Sequence, residues 1–377
     1  MIQTPGILVT ILAFALVLGP LVFLHELGHY LAGRWFGVKA EEFSIGFGRE
    51  VAGFTDRRGT RWKFGWLPLG GYVRFAGDMN PASQPSPEWL SLPASERAQT
   101  FQAKPLWQRA IIVAAGPIMN FLIAIAILGS FAVAFGENVT PATIGEVQAN
   151  SAAAKAGLKT GDRITAMDGR TVDDYFDLRM FTALRAGELV TIDFQRDGQA
   201  RQVQATIGTL KLKDRFGNIS TRGQLGVGPA AQQVRQVAIW EAPLVGMRQT
   251  GEIIDVTVEG LKRIILGRIP VSELGGPLKI AQASGESLSM GPLALVSLIA
   301  LVSINLGFIN LLPVPVLDGG HLLFYAVEAV RRRPVEPQVM EWAYRGGLIA
   351  ILALMLFVTF NDLGAFGVWR SLAGLIG

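Results

Sequence analysis

Four stretches of the chain are almost free of charge, and the polar residues placed at their ends give the first clues to its chemistry. The first apolar run extends from Met1 to Leu24 and continues as a helix to about Phe36. The second runs from Ala110 to Phe135, the third from Ser287 to Leu317, and the fourth between Arg345 and Asp362. The first three exceed the roughly 18 apolar residues that suggest a spanning helix. The fourth has 16 uncharged residues, with Trp342 as an interfacial anchor. The pattern predicts a polytopic α-helical membrane protein of about four spans, at 1–36, 110–135, 287–333 and 341–362, with 363–377 as a tail.

Residues 37–109 follow another rhythm. Ser44-Ile-Gly-Phe-Gly48, Trp62-Lys-Phe-Gly-Trp66 and Leu67-Pro-Leu-Gly-Gly-Tyr-Val-Arg-Phe75 alternate apolar and polar positions with Gly and Pro punctuation. They read as short β-hairpins. Their aromatic content suggests a membrane-associated region, where irregular backbone must be covered by protein or line a wet cavity. Residues 77–104, rich in Pro and Ser, read as a mobile loop.

Residues 141–227 read as an inserted α+β domain, with strands near Ile144–Val147, Arg163–Met167 and Val190–Phe194 and one helix near Tyr175–Leu184. The stretch Ala156-Gly-Leu-Lys-Thr-Gly-Asp-Arg-Ile-Thr-Ala-Met-Asp-Gly-Arg170 resembles a bacterial PDZ domain. That resemblance implies capture of an extended peptide by strand addition, with Ile144 and Gly145 as candidate contacts, or else a steric gate. In the linker, 233–286, Val245, Ile253, Val256, Leu261, Ile264 and Ile265 recur at helical spacing among charges. They predict an amphipathic helix on the membrane surface; a helix packed on the insert is the plainer alternative.

Composition agrees with a membrane protein carrying a soluble insert. Of 377 residues, 50% are hydrophobic and only 17% charged, against about 25% in ordinary soluble chains. The absence of cysteine excludes disulfides, thiolate nucleophiles and Cys-based zinc sites. The net charge of +4 gives no sign of nucleic acid as a partner, and its placement matters more than its size. Arg34, Lys39, Arg49, Arg57, Arg58, Arg61, Lys63, Arg74, Arg97, Lys104 and Arg109 lie between the first two spans, and Arg331, Arg332 and Arg333 between the last two. Both segments are therefore expected in the cytoplasm, and both termini and the insert opposite. The start of the chain lacks a signal-peptide layout, so the first run is expected to be retained.

At the end of the first span stands Leu24-His-Glu-Leu-Gly-His-Tyr30, which contains two of the chain's three histidines. His25 and His29, four apart on a helix, can share one metal ion, and Glu26 can reach a water upon it. Zn²⁺ is the usual occupant and lowers the pKa of bound water to about 7. The third span breaks at Asn310-Leu-Leu-Pro-Val-Pro-Val-Leu-Asp-Gly-Gly-His321, where two prolines and two glycines unwind the helix and Asp318 ends the uncharged run. A carboxylate at that depth calls for a cation. His25, His29 and Asp318 would leave the fourth zinc position to water, as in catalytic sites. Asn120, in Gly116-Pro-Ile-Met-Asn120, either steadies a metal ligand or bonds a neighbouring helix. His321 is a candidate outer partner of the metal, a fourth ligand, or a residue at the membrane edge; the first is favoured.

The motifs Leu24–Tyr30, Gly116–Asn120 and Asn310–His321, separated by a PDZ-like insert, resemble the site-2 protease family of intramembrane zinc metalloproteases. The bacterial group that regulates sigma-E, RseP, is nearest, and Ser44–Gly48, Pro68–Asp78 and Gly275–Ala281 match it too. The resemblance covers essentially the whole chain, although this chain has a single PDZ unit where the best-known enterobacterial members have two. It implies one Zn²⁺ per chain on His25, His29 and Asp318, Glu26 as general base, and Asn310 either in contact with substrate or polarising the scissile carbonyl. It further implies that the 60–75 hairpin, including Gly70, Gly71 and Tyr72, pairs with an unwound substrate strand. The partners implied are the lipid bilayer of a bacterial inner membrane and single-pass proteins such as anti-sigma factors and signal-peptide remnants. Two rival readings are a non-cleaving PDZ adaptor, which would not need Glu26, and a metal transporter, which would need further ligands along the spans.

Overall fold

The computed structural model describes residues 6–78, 92–213, 219–271 and 275–365. Residues 79–91 of the Pro- and Ser-rich loop and the tail from 366 lie outside the described residues. In chain order, helix α1 (Ile7–Trp35) leads into strands β1 (Ala40–Thr55) and β2 (Arg61–Phe75), a short α2 (Ala94–Arg97) and α3 (Leu106–Phe135). Then come β3 (Glu137–Asn138), β4 (Ile144–Val147), α4 (Ala152–Lys155), β5 (Arg163–Met167), β6 (Arg170–Thr171), α5 (Tyr175–Ala183), β7 (Leu189–Arg196) and β8 (Gln199–Thr206). They are followed by β9 (Gly208–Lys213), β10 (Ile219–Gln224), β11 (Val227–Pro229), β12 (Val234–Arg235) and α6 (Ala242–Ile265). The chain closes with α7 (Pro277–Met290), α8 (Pro292–Asn310), α9 (Asp318–Arg331) and α10 (Pro337–Ala365). Among the described residues, four helices are long and apolar enough to cross a membrane: α1, α3, α8 and Gln338–Gly364 of α10. Among the described residues two compact units emerge, one within 1–128, 246–254 and 275–362, the other within 129–245, 255–274 and 363–365.

In the first unit, β1 and β2 do not form separate short hairpins. Each bends at its glycines, and Glu42–Ile45 becomes a central strand with partners on both sides. Arg74–Gly71 face it across one edge and Arg61–Phe64 across the other, while 52–55 pairs with the outer side of 61–64. Gly46, Gly48 and Gly70 have positive φ, the conformation that lets such strands turn sharply. Gly71–Phe75 is thus an outer strand. Phe43, stacked on Trp62 at 4.3 Å, packs with Tyr30, Phe75, Phe101 and Ile112 to join the sheet to α1 and α3. Glu42 accepts hydrogen bonds from Lys63 (2.6 Å), Tyr72 (2.9 Å) and Arg74 (2.7 Å).

The third apolar run is two helices, not one. Gly291 sits at φ 115°, Pro292 supplies no N–H, and the spanning helix begins there rather than at Ser287. The fourth helix is longer than its uncharged stretch. Asp362, fully buried, accepts the main-chain N–H groups of Gly276 (3.1 Å) and Lys279 (3.2 Å) at the start of α7, so it acts as a helix cap inside α10.

The second unit is built on its own core, with Ile144, Ile164, Met167, Leu178, Ile192, Ile207 and Leu225 at its centre. A four-stranded sheet of order β6-β5-β7-β8 is accompanied by the pairs β4–β11, β9–β10 and β3–β12. The second half of α6 lays its charges on this core. Arg263, 4% exposed, donates to Glu188 (2.6 Å), Glu259 (2.7 Å) and the Leu184 carbonyl (3.1 Å). Arg185 reaches the same Glu259 at 3.0 Å. A nearly buried guanidinium needs such pairing, and it corrects the expectation of a helix lying free on the membrane surface: this half packs on the insert.

Arg196 grips Asp162 through two bonds of 2.6 Å, and Lys159 N–H adds one of 2.7 Å. Burial alone would raise the Asp162 carboxyl, but these donors outweigh it and hold it below its ordinary value. A lowered folded-state pKa contributes stability above the unfolded value, about 3.9, that is lost as pH falls below it. Urea midpoints for the insert's amide protection should therefore drop more between pH 6 and pH 3 in wild type than in Asp162→Asn, which starts from a lower midpoint at pH 6.

Candidate metal centre

The helical phase of α1 brings His25 and His29 to one face, where their Nε2 atoms stand 3.3 Å apart. Asp318, in the first turn of α9, points Oδ2 at both, 3.3 Å from His25 Nε2 and 3.6 Å from His29 Nε2. The three donor atoms lie within 4.8 Å of one another, the only such group among the described residues. The opposite ring nitrogens are engaged. His29 Nδ1 donates to the Ile112 carbonyl at 2.9 Å. His25 Nδ1 lies 3.0 Å from Asn120 Nδ2, while Asn120 Oδ1, buried, has no partner. Amide oxygen and nitrogen are interchanged by a half turn, and the turned amide accepts the Nδ1–H proton. Both Nε2 lone pairs are then free for a metal, each ring oriented by a second hydrogen bond.

Helix α3 presents bare backbone to this cluster. A Cβ on Gly116 would collide with His29 Nε2 and sit 2.9 Å from His25 Nε2. Ser303 of α8 fixes the same turn by donating to the Asn120 carbonyl at 2.7 Å. The donor set, its spacing and this glycine cradle fit a tetrahedral zinc with an open position.

Glu26 stands beside this group, against the outer strand of the sheet. A Cβ on Gly71 would lie 2.9 Å from Glu26 Cγ, 2.7 Å from the Ser44 carbonyl and 3.0 Å from Val22 Cγ1, so only glycine lets the strand approach. Gly70, at φ 124°, turns the chain into that strand. The Tyr72 side chain is committed to Glu42. Asn310 ends α8, half-buried, eight residues before Asp318. His321 lies outside the group of three: both its ring nitrogens face Tyr344 Oη, at 2.8 and 3.2 Å. Ile144 and Gly145 belong to the other unit, and they are not poised for strand addition. Ile144 is 1% exposed, β4 is paired with β11 on one side, and Ile144 exchanges main-chain bonds with Gly161 and Asp162 on the other.

The sequence profile of peptidase family M50 matches residues 13–354. The chain belongs to peptidase family M50. A protein of Agrobacterium fabrum named for zinc metalloprotease activity is 44% identical over 360 residues, covering 94% of this chain and 96% of its own. A similarly named protein of Mesorhizobium japonicum shares 44% over 360 residues, 94% and 98% of the two chains. Metalloprotease MmpA of Caulobacter vibrioides shares 37% over 398 residues, 98% and 99%. A PDZ domain of the SdrC-like protein of Listeria monocytogenes overlies 24% of this chain and 87% of its own, at 19% identity and a TM-score of 0.19, too slight to decide the insert's fold. This M50 peptidase is thus a membrane zinc metalloprotease of the site-2 type.

Sequence reasoning found the donors but not what orients them. Gly116 stood inside a recognised motif without a role of its own, whereas the Ile112 carbonyl, Ser303 and Tyr344 carry no local signal. Asn120→Leu is expected to weaken zinc binding about 10- to 100-fold in chelator competition, and Gly116→Ala to weaken it further; unchanged affinity in both would refute the cradle.

Proposed function

We propose that this M50 peptidase cuts single-pass membrane proteins within their membrane segment. The observation that carries the reading is the convergence of His25, His29 and Asp318 beside Glu26, on helices that are apolar around them, with a sheet edge against the base. His25, His29 and Asp318 hold the zinc. When bound there, it supplies the Lewis acidity that polarises a peptide carbonyl and acidifies water. Glu26 takes the proton from the attacking water and passes it to the leaving amine. Asn310 contacts the scissile segment.

The sheet solves a second problem. A substrate helix must unwind before it is cut, and unsatisfied backbone groups cost several kcal/mol in lipid. The outer strand around Gly70, Gly71 and Tyr72 has no second strand beside it among the described residues and lies against Glu26, so it can pair with the unwound segment and align it for attack. The insert is read as a single PDZ domain acting as a gate for bulky ectodomains; the closed sides of β4 support this over peptide capture through Ile144 and Gly145. Charge placement supports a bacterial inner-membrane orientation with the insert and termini periplasmic and the metal centre toward the cytoplasm. Substrates of the anti-sigma-factor or signal-peptide-remnant type follow from the family likeness.

Purified wild type and Glu26→Gln, each assayed in detergent against a panel of tagged single-pass substrates, test this. Wild type alone should cut, with about one zinc retained by both. Equal cutting by both proteins would remove Glu26 from the base role, and zinc-loaded wild type that cuts nothing across the panel would favour a non-cleaving adaptor.

A further inference from the structure

The turn that delivers Asp318 is strained. Val316, a β-branched residue, stands at φ 87°, a conformation that persists only where the surroundings impose it. Part of the restraint is internal to the turn. Gly319 and Gly320 press the first turn of α9 onto the carbonyls of Leu311, Leu312 and Val314, leaving no room for a Cβ.

The rest comes from α10. A Cβ on Gly347 would lie 2.6 Å from the Pro315 carbonyl oxygen and 2.8 Å from Pro315 Cβ, so helix backbone bears directly on the turn. Three residues earlier on the same face, Tyr344, 5% exposed, gives its hydroxyl to His321 at 2.8 Å. The two contacts fall on Pro315 and His321, one three residues before Asp318 and the other three after it. The ring of His321, 9% exposed, has Tyr344 as its only hydrogen-bond partner among the described residues, so Tyr344 satisfies the imidazole that α9 buries three residues from its carboxylate.

We infer that Tyr344 and Gly347 of α10 are positioning residues for the metal centre, clamping the Pro315–His321 turn so that the Asp318 carboxylate meets His25 and His29. The inference rests on Asp318 as a zinc ligand. On this account His321 serves as the acceptor through which α10 holds α9, and a spanning helix that contributes no ligand helps set how tightly the metal is held.

The test uses the full chain in nanodiscs, with zinc affinity measured by competition with a chromophoric chelator and cleavage measured at limiting and saturating zinc. Tyr344→Phe, which removes one oxygen and little packing, should weaken zinc binding about 10-fold or more, with cleavage largely restored at saturating zinc and the melting temperature little changed. His321→Gln, which keeps an acceptor for the tyrosine, should stay near wild type, whereas His321→Leu should behave like Tyr344→Phe. Gly347→Ala should also lower affinity. Tyr344→Phe and His321→Leu both within twofold of wild type would overturn the inference, and so would His321→Gln losing zinc as completely as His25→Gln, which would make His321 a ligand. Asp318→Asn run alongside separates the two levels: if it retains wild-type affinity, the ligand assignment fails, and if it alone loses zinc, only the clamp fails.

Discussion

A membrane interior penalises isolated charge and unpaired backbone alike, and this fold is organised around satisfying both at one point. Two imidazoles and a carboxylate meet within a bundle of apolar helices. Such a cluster is expensive unless a cation compensates the carboxylate and every remaining polar atom finds a partner. Each part of the first unit contributes to that condition: α1 supplies the imidazoles, α3 the carbonyl and amide that orient them, and the first turn of α9, entered through the strained Val316, the carboxylate.

Close approach is obtained mainly by leaving side chains out. Gly28 meets the Ala115 carbonyl, Gly116 faces both histidines, Gly71 lies on Glu26, and Gly347 bears on Pro315. At each point, backbone takes the place a side chain would fill, the usual way helices pack tightly where no hydrophobic drive separates protein from lipid. The same helix that steadies the turn at Pro315 also carries Asp362 to the N-terminus of α7. One spanning helix therefore touches the metal-bearing turn at one end and caps a second helix at the other.

The grouping of His25, His29 and Asp318 was legible in the sequence because its constraints are local. An i, i+4 pair of histidines with an adjacent glutamate, and a carboxylate after a long uncharged run, need no tertiary information to be noticed. The spans were legible for the same reason, except where Gly291 and Pro292 split an apolar run that hydropathy treats as continuous. What did not show was anything decided by distant packing. The double pairing of Glu42–Ile45 depends on strands thirty residues apart, and the burial of Arg263 depends on Glu188. The Tyr344–His321 bond joins two helices that are each unremarkable in composition. The pairing on both sides of Ile144 was not legible, because a strand's edges cannot be counted before its neighbours are known.

The most direct test of the account is X-ray absorption at the zinc edge on the full chain in nanodiscs, wild type beside Asp318→Ala. The account predicts about one zinc per chain in wild type, with two imidazoles and oxygen donors at roughly 2.0–2.2 Å, and a first shell that loses a carboxylate oxygen in the variant. Wild-type zinc without imidazole scattering, or a spectrum that Asp318→Ala leaves unchanged, would contradict it.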